Sequence, residues 1–158
     1  MSSLAQLAPA RTELQQVSAL FGGRQTLRRA VQNPLDAHDL LVAGLPGDAL
    51  MHLLGRLGAL RSSPSLEKAL GMSLRTIQRR KERPDQVLDR EQSSRTWKFA
   101  EILARATEVM GSQAEAEEWL ARPAMGLDGR RPIDLLESAA GTEIVEEFLT
   151  RLEYGVYT

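Results

Sequence analysis

The sequence predicts an all-α protein, a basic helical part followed by an acidic helical part. Apolar residues recur at helical spacing in nearly every segment, and no stretch alternates with period two for long enough to propose a sheet. Gly, Pro and Ser fall where those segments start and stop. Residues 1–100 hold 15 Lys/Arg against 9 Asp/Glu, a net charge of +6, and residues 101–158 hold 5 against 12, a net of −7. Such an asymmetry suggests two different partners.

Taken in order, Leu14, Val17 and Phe21 share one helical face, and Gly22-Gly23 ends that segment. Residues 1–37 form an N-terminal lead that reads equally as a docked helix, a dimer arm or a loose attachment. Leu50, Leu53, Leu54 and Leu57 lie at the i, i+3, i+4, i+7 spacing of an amphipathic helix. "SSPSLEKALG" reads as a short helix with Ser63 as cap, Pro64 in the first turn and Gly71 at the end. "LRTIQRRKE" follows, with Ser73 as N-cap and Pro84-Asp85 as its stop. A longer helix runs through "TWKFAEILARATEVMG", with Phe99, Leu103, Ala106 and Met110 on one side.

Beyond Gly111, "SQAE" has the form of a capping box from Ser112 to Glu115. The helix it starts presents Ala116, Trp119 and Leu120 on one face, with Trp119 expected in the core, and halts at Pro123. A loop rich in Gly and Arg leads to a short helix from Pro132 to about Ala140. Gly141-Thr142 is expected to open a last helix faced by Val145, Phe148, Leu149 and Leu152, ending at Gly155.

Composition narrows the function. No apolar run reaches the length of a membrane span, and the first residues lack the basic start and apolar stretch of a secretory signal. With no cysteine, disulfides and thiolate metal sites are excluded, which points to a reducing cytoplasm. The only histidines are His38 and His52, with no activated serine or phosphate loop beside them. Glu117-Glu118 and Glu146-Glu147 are neighbours along helices, so their side chains diverge. No catalytic residue, metal ligand or cofactor site is expected, and the reading is a binding protein rather than an enzyme.

Two short helices joined at a glycine have the shape of a helix-turn-helix. Leu66, Leu70, Met72, Leu74 and Ile77 would face inward, and the second helix would project Arg75, Gln78 and Arg79, with Thr76 and Arg80 beside them. Arg and Gln read guanine and adenine edges in the major groove, while Ser73, Thr76 and Lys81 suit phosphates. Arg75 to Lys98 holds eight basic residues against four acidic ones. Glu67 stands where the buried corner of the first helix commonly takes a small residue, so it needs exposure or a partner such as Arg80 or Lys81. The plain alternative is a helical hairpin with solvated arginines.

With that unit in place, "MGSQAEAEEWLARPAMGLDGRRPIDLLESAAGTEIVEEFLTRLEYGVY" resembles the toxin-binding domain of the Xre/MbcA/ParS antitoxin family. The resemblance rests on Gly111, Trp119-Leu120, Pro123, Leu127, Gly129, Pro132, Leu135-Leu136, Gly141 and the ending Tyr154-Gly155-Val156-Tyr157. "LRTIQRRK" and "LDREQSSR" resemble the Xre-like region that precedes it, so the similarity covers roughly residues 38–158. Two departures are Asp128, where a glycine is expected after the leucine, and Ala124, where a polar residue is expected.

Beyond residues 1–37, which it does not cover, the resemblance implies an Xre-like helix-turn-helix over 38–100 and an acidic toxin-binding part over 101–158. It implies an antitoxin whose partner is a RES-domain toxin that consumes NAD, which binds operator DNA to repress the shared operon, and which forms a homodimer. Tyr154, Gly155, Val156, Tyr157 and Thr158 are then candidate toxin-binding residues, a tail that enters the toxin's cleft. The alternative for the tail is that Tyr154 packs on the last helix and the rest frays. For the whole chain, the alternative is a stand-alone regulator whose acidic part dimerises or senses a ligand. Arg130 and Arg131 can touch a partner or simply be solvated.

Overall fold

The computed structural model describes residues 13–155. A first helix, α1, described over residues 13–20, leads into α2 (Arg24–Leu27), α3 (Pro34–Ala43) and α4 (Gly47–Arg56). Then come α5 (Pro64–Leu70), α6 (Leu74–Glu82), α7 (Arg90–Met110), α8 (Gln113–Ala121), α9 (Pro132–Leu135) and α10 (Ala139–Glu153). Short 3₁₀ turns occupy Ala59–Ser62 and Met125–Leu127, and no strand forms among the described residues.

The helix-turn-helix is α5 and α6. Ser63 caps α5 by accepting from the Ser65 N–H, and Ser73 caps α6 by accepting from the Thr76 N–H. Between them Gly71 adopts φ 70°, where a side chain would be strained and would also meet the Arg95 guanidinium. Arg95 reaches from α7 to the carbonyls of Lys68 and Ala69 at the end of α5, and to that of Glu137. A cation is thus held against the negative end of that helix.

Helix α7 is the axis of the molecule. It packs on α8, α5, α3 and α10. It starts at Arg90, six residues earlier than apolar spacing implies, because Asp89 and Gln92 form a reciprocal capping box. The polar stretch from Arg90 to Arg95 has no apolar stripe to betray it. Beside α7, Phe21 stacks on Trp97 with ring centroids 5.5 Å apart and planes 3° from parallel. The eight described residues of α1 are too few to hold a helix alone in water. Burial of Phe21 and Val17 supplies what α1 lacks, at about 1.5–3 kcal/mol for each large side chain. The lead is therefore docked from residue 13 onward.

Three other expectations are corrected. Leu74, placed in the apolar set, is 55% exposed, while Leu66, Leu70, Met72 and Ile77 are buried. It is the first residue of α6, and because Cα–Cβ bonds tilt toward the helix N-terminus its side chain projects past the covered stretch of the helix. Helix α9 stops at Leu135, and α10 opens at Ala139 with Ser138 as cap, accepting from the Gly141 N–H at 2.9 Å. Gly141 serves close packing instead, since a Cβ there would strike the Leu135 carbonyl. Trp119 is half-buried rather than core, stacked on Phe148 at 5.9 Å.

The acidic part is tied to the helix-turn-helix part by a buried carboxylate. Glu117 is 3% exposed. It accepts from the Gly58 N–H at 2.9 and 3.1 Å, from the Leu60 N–H at 3.0 Å and from Gln113 Nε2 at 3.0 Å. Gln113 also donates to the Arg56 carbonyl at 2.8 Å. These N–H groups lie at the start of the 3₁₀ turn at Ala59–Ser62, which has no cap from its own N-cap residue. Losing the carboxylate would orphan two backbone donors beside fully buried Leu60. Glu117→Ala is expected to lower unfolding free energy by about 2–4 kcal/mol in urea titrations at pH 7. Glu118→Ala, one residue on and exposed, should stay within about 0.5 kcal/mol of wild type.

Candidate functional site

The first candidate surface is the outer side of α6. Its N-cap uses both nearby hydroxyls: Ser73 Oγ accepts from the Thr76 N–H at 3.1 Å and lies 3.0 Å from Thr76 Oγ1. Arg75, Gln78, Arg79 and Lys81 are exposed, and none of the three cations among them pairs with a carboxylate among the described residues. Arg80 differs. It is half-buried and donates to the Val87 carbonyl at 3.2 Å and to Gln86 Oε1 at 3.4 Å, so its guanidinium braces the following loop. That loop is pinned in turn to the start of α4, with the Gly47 N–H donating to the Gln86 carbonyl at 2.8 Å. Glu67 is half-buried and takes neither Arg80 nor Lys81 as partner among the described residues.

The second candidate surface is the end of α10. Tyr154 is its C-cap and is 76% exposed, packing on little. Gly155 follows with φ 70°, so the chain turns away from the helix axis there. Val156, Tyr157 and Thr158 lie outside the described residues. The structure thus brings Tyr154 and Gly155 together at an exposed helix end, remote in sequence from the α6 residues.

Sequence reasoning missed two exposed apolar residues on the same part. Met125 is 97% exposed, and Ile144 is 48% exposed on α10 one turn before half-buried Phe148. Phe148 lies over Gly126 so closely that a Cβ there has no room. The signal in the sequence was the four-residue spacing from Ile144 to Phe148, obscured by the more deeply buried Val145 and Leu149. In the neighbouring loop Asp128 takes φ 59°, a left-handed conformation that Asp tolerates better than most residues, so the turn forms with Asp in place of glycine. The Ala124 N–H donates to the Arg130 carbonyl at 3.0 Å and closes it.

Charge is arranged unlike its order in the sequence. Glu13 from α1 joins Glu101, Glu108, Glu146 and Glu153 around one hollow that also holds Arg105. Burial and then Glu101 push the Glu13 carboxyl up, Arg105 opposing, with Glu108 and Glu153 adding to the rise. Lys98 sits 3.2 Å from Glu101 and 3.4 Å from Glu146. Burial would lower its pKa, but the two carboxylates outweigh that and raise it. Among the described residues no group of three His, Asp or Glu stands where it could hold a metal ion. His52 Nδ1 lies 3.3 Å from the Leu20 carbonyl. No helix among those residues is long and apolar enough to cross a membrane.

A polar bridge joins the two surfaces' supports. Buried Ser65, in the first turn of α5, donates to Asp134 Oδ1 at 2.5 Å, and Arg131 Nε donates to Asp134 Oδ2 at 2.9 Å. Of the two loop arginines, Arg131 is thus engaged within the chain. Burial raises the Asp134 pKa, but the bonds from Ser65 and Arg131 with the charges of Arg131 and Lys68 more than cancel it, leaving it below 3.8. A carboxylate depressed in the folded state contributes stability above its unfolded pKa, lost as pH falls through the folded value. Asp134→Asn is expected to cost about 1 kcal/mol at pH 7, a small figure because the side chain is 38% exposed. In urea titrations repeated down the pH scale, the gap from wild type should close below pH 3.8.

Residues 36–101 match the family model described as the antitoxin Xre-like helix-turn-helix domain. Residues 105–155 match the one described as the antitoxin Xre/MbcA/ParS C-terminal toxin-binding domain. An antitoxin Xre of Pseudomonas putida is 38% identical over 82 residues, which is 52% of this chain and 51% of that protein, so the match spans about half the relative's length. An antitoxin Xre of Yersinia enterocolitica is 27% identical over 137 residues, 85% of this chain and 92% of that protein. With an Xre-like helix-turn-helix leading into the toxin-binding domain, the chain belongs to the Xre/MbcA/ParS family of antitoxins.

Proposed function

We propose that this chain is the antitoxin of a two-protein toxin–antitoxin pair, neutralising a RES-domain, NAD-consuming toxin by direct contact and repressing the shared operon through α6. The observation that carries the reading is an exposed Arg/Gln row on a capped second helix, combined with an aromatic residue standing exposed at the far end of the chain. Arg75, Gln78 and Arg79 face base edges; Lys81 with Ser73 and Thr76 at the helix start serves phosphates. Arg80 contributes charge while holding the loop. A homodimer presents two such helices to a two-fold operator.

A toxin cleft that binds the pyrophosphate of NAD is electropositive. The acidic hollow around Glu101, Glu108 and Glu153 steers the antitoxin toward it and raises the association rate. Tyr154, Gly155, Val156, Tyr157 and Thr158 then occlude the cleft. Tyrosine is a frequent interface anchor because it adds large contact area at low entropy cost.

Two experiments test the halves separately. The RES-domain toxin would be induced with the full-length chain, with a version ending at Glu153, and with Tyr154→Ala/Tyr157→Ala, while growth and NAD are followed. Rescue by full length alone is expected; rescue by all three would remove the tail from inhibition, and rescue by none would leave a stand-alone regulator. In the second, Arg75, Gln78, Arg79 and Arg80 are changed to alanine together. Operator binding is expected to disappear with neutralisation intact. For Lys81→Ala, which removes a phosphate contact, the salt slope of DNA binding should flatten by about 0.9.

A further inference from the structure

Leu74 lies outside the Arg/Gln row assigned to base edges, yet its placement is unusual. It is a large apolar side chain, 55% exposed, on a helix otherwise covered with Arg, Gln and Lys. It contributes little to the core, since Ile77, one turn on, is the residue of α6 that is buried. On α6 itself it is the exposed apolar residue, since the helix's other one, Ile77, is buried. The other exposed apolar residue nearby in sequence, Val87, follows the loop braced by Arg80 near the opposite end of α6, with the nine-residue helix between them.

Position decides what Leu74 can meet. It is the first residue of α6, directly after the Ser73 cap, and the N-terminal residues of a recognition helix are those that reach base edges in the major groove. Residues four apart lie one above the other on a helix, so Leu74 stands in line with Gln78 and next to Arg75. A leucine there neither donates nor accepts a hydrogen bond. The apolar group that the major groove offers is the C5-methyl of thymine; cytosine presents an amino donor at its edge and guanine two acceptors. Against those a leucine leaves polar groups dehydrated and unpaired, which costs affinity.

We propose that Leu74 is a specificity-determining residue that selects thymine in the operator half-site by packing on its C5-methyl, alongside the base edge read by Gln78. This rests on the operator-binding reading, and the experiment separates the two. A duplex is first selected from a randomised pool by the full-length chain. Each thymine is then replaced by deoxyuridine, which removes only the methyl, and binding is measured with wild type and with Leu74→Ala. Because Leu74 is exposed, the variant's thermal melt should match wild type.

For wild type, deoxyuridine at one position per half-site is expected to weaken binding about four- to fifteenfold, the range of one or two buried methyl groups. Leu74→Ala should bind the thymine duplex more weakly by a similar factor and be indifferent to the substitution at that position. A selected duplex whose deoxyuridine variants affect both proteins alike would overturn the proposal. So would a Leu74→Ala that loses self-association and binds every duplex uniformly more weakly, since Leu74 would then act between protein copies. Failure to select any duplex would bring down the operator reading itself, and the proposal with it.

Discussion

Everything in this molecule hangs on one helix that cannot face water. Helix α7 buries Trp97, Phe99, Ala100, Ile102, Leu103, Ala104 and Ala106, which point in several directions around its axis. A helix apolar on most of its circumference has to be enclosed. The enclosure comes from α3 and α5 on the side of the basic unit and from α8 and α10 on the side of the acidic one. Neither unit can therefore complete its core without the segment that connects it to the other, and Phe21 from the N-terminal lead finishes the sheath by stacking on Trp97. The short helices gain their stability from this enclosure, because at four to ten residues they are below the length that persists alone.

The legible features of the sequence were local ones. Ser63, Pro64, Gly71 and Ser73 are cap and turn chemistry, in which the residue type follows from the backbone geometry at that position, and the helix-turn-helix could be read from them. The all-α class followed from apolar spacing for the same reason. The features that stayed hidden depend on where a side chain's neighbours come from. Glu117 looks like a solvated helix carboxylate until the 3₁₀ turn fifty-seven and more residues earlier brings its N–H groups to it. Leu74 looks like core until its side chain is seen to project beyond the neighbouring helices. The early start of α7 rested on Asp89 and Gln92 alone, with no apolar period to support them.

The candidate sites divide in the same way. The exposure of Arg75, Gln78 and Arg79 followed from helical phase, whereas the bracing role of Arg80 required the Val87 carbonyl to be in place. The charge drift along the chain, basic then acidic, was visible by counting. Its spatial form was not, because Glu13 crosses from the basic part to join Glu153 in one acidic hollow. Net charge over a stretch of sequence says which partners a chain attracts; the tertiary fold says from which side.

The buried carboxylate at Glu117 has an implication for how such chains diversify. Its donors, the Gly58 and Leu60 N–H groups, are backbone, so nearly any sequence in that turn can present them. The burden of compatibility therefore falls on one position of α8, with Asp134 and Ser65 as a second, side-chain-specific lock. An acidic half exchanged for another would leave the helix-turn-helix half folded so long as the incoming piece carried a carboxylate at the first lock and suited a serine at the second.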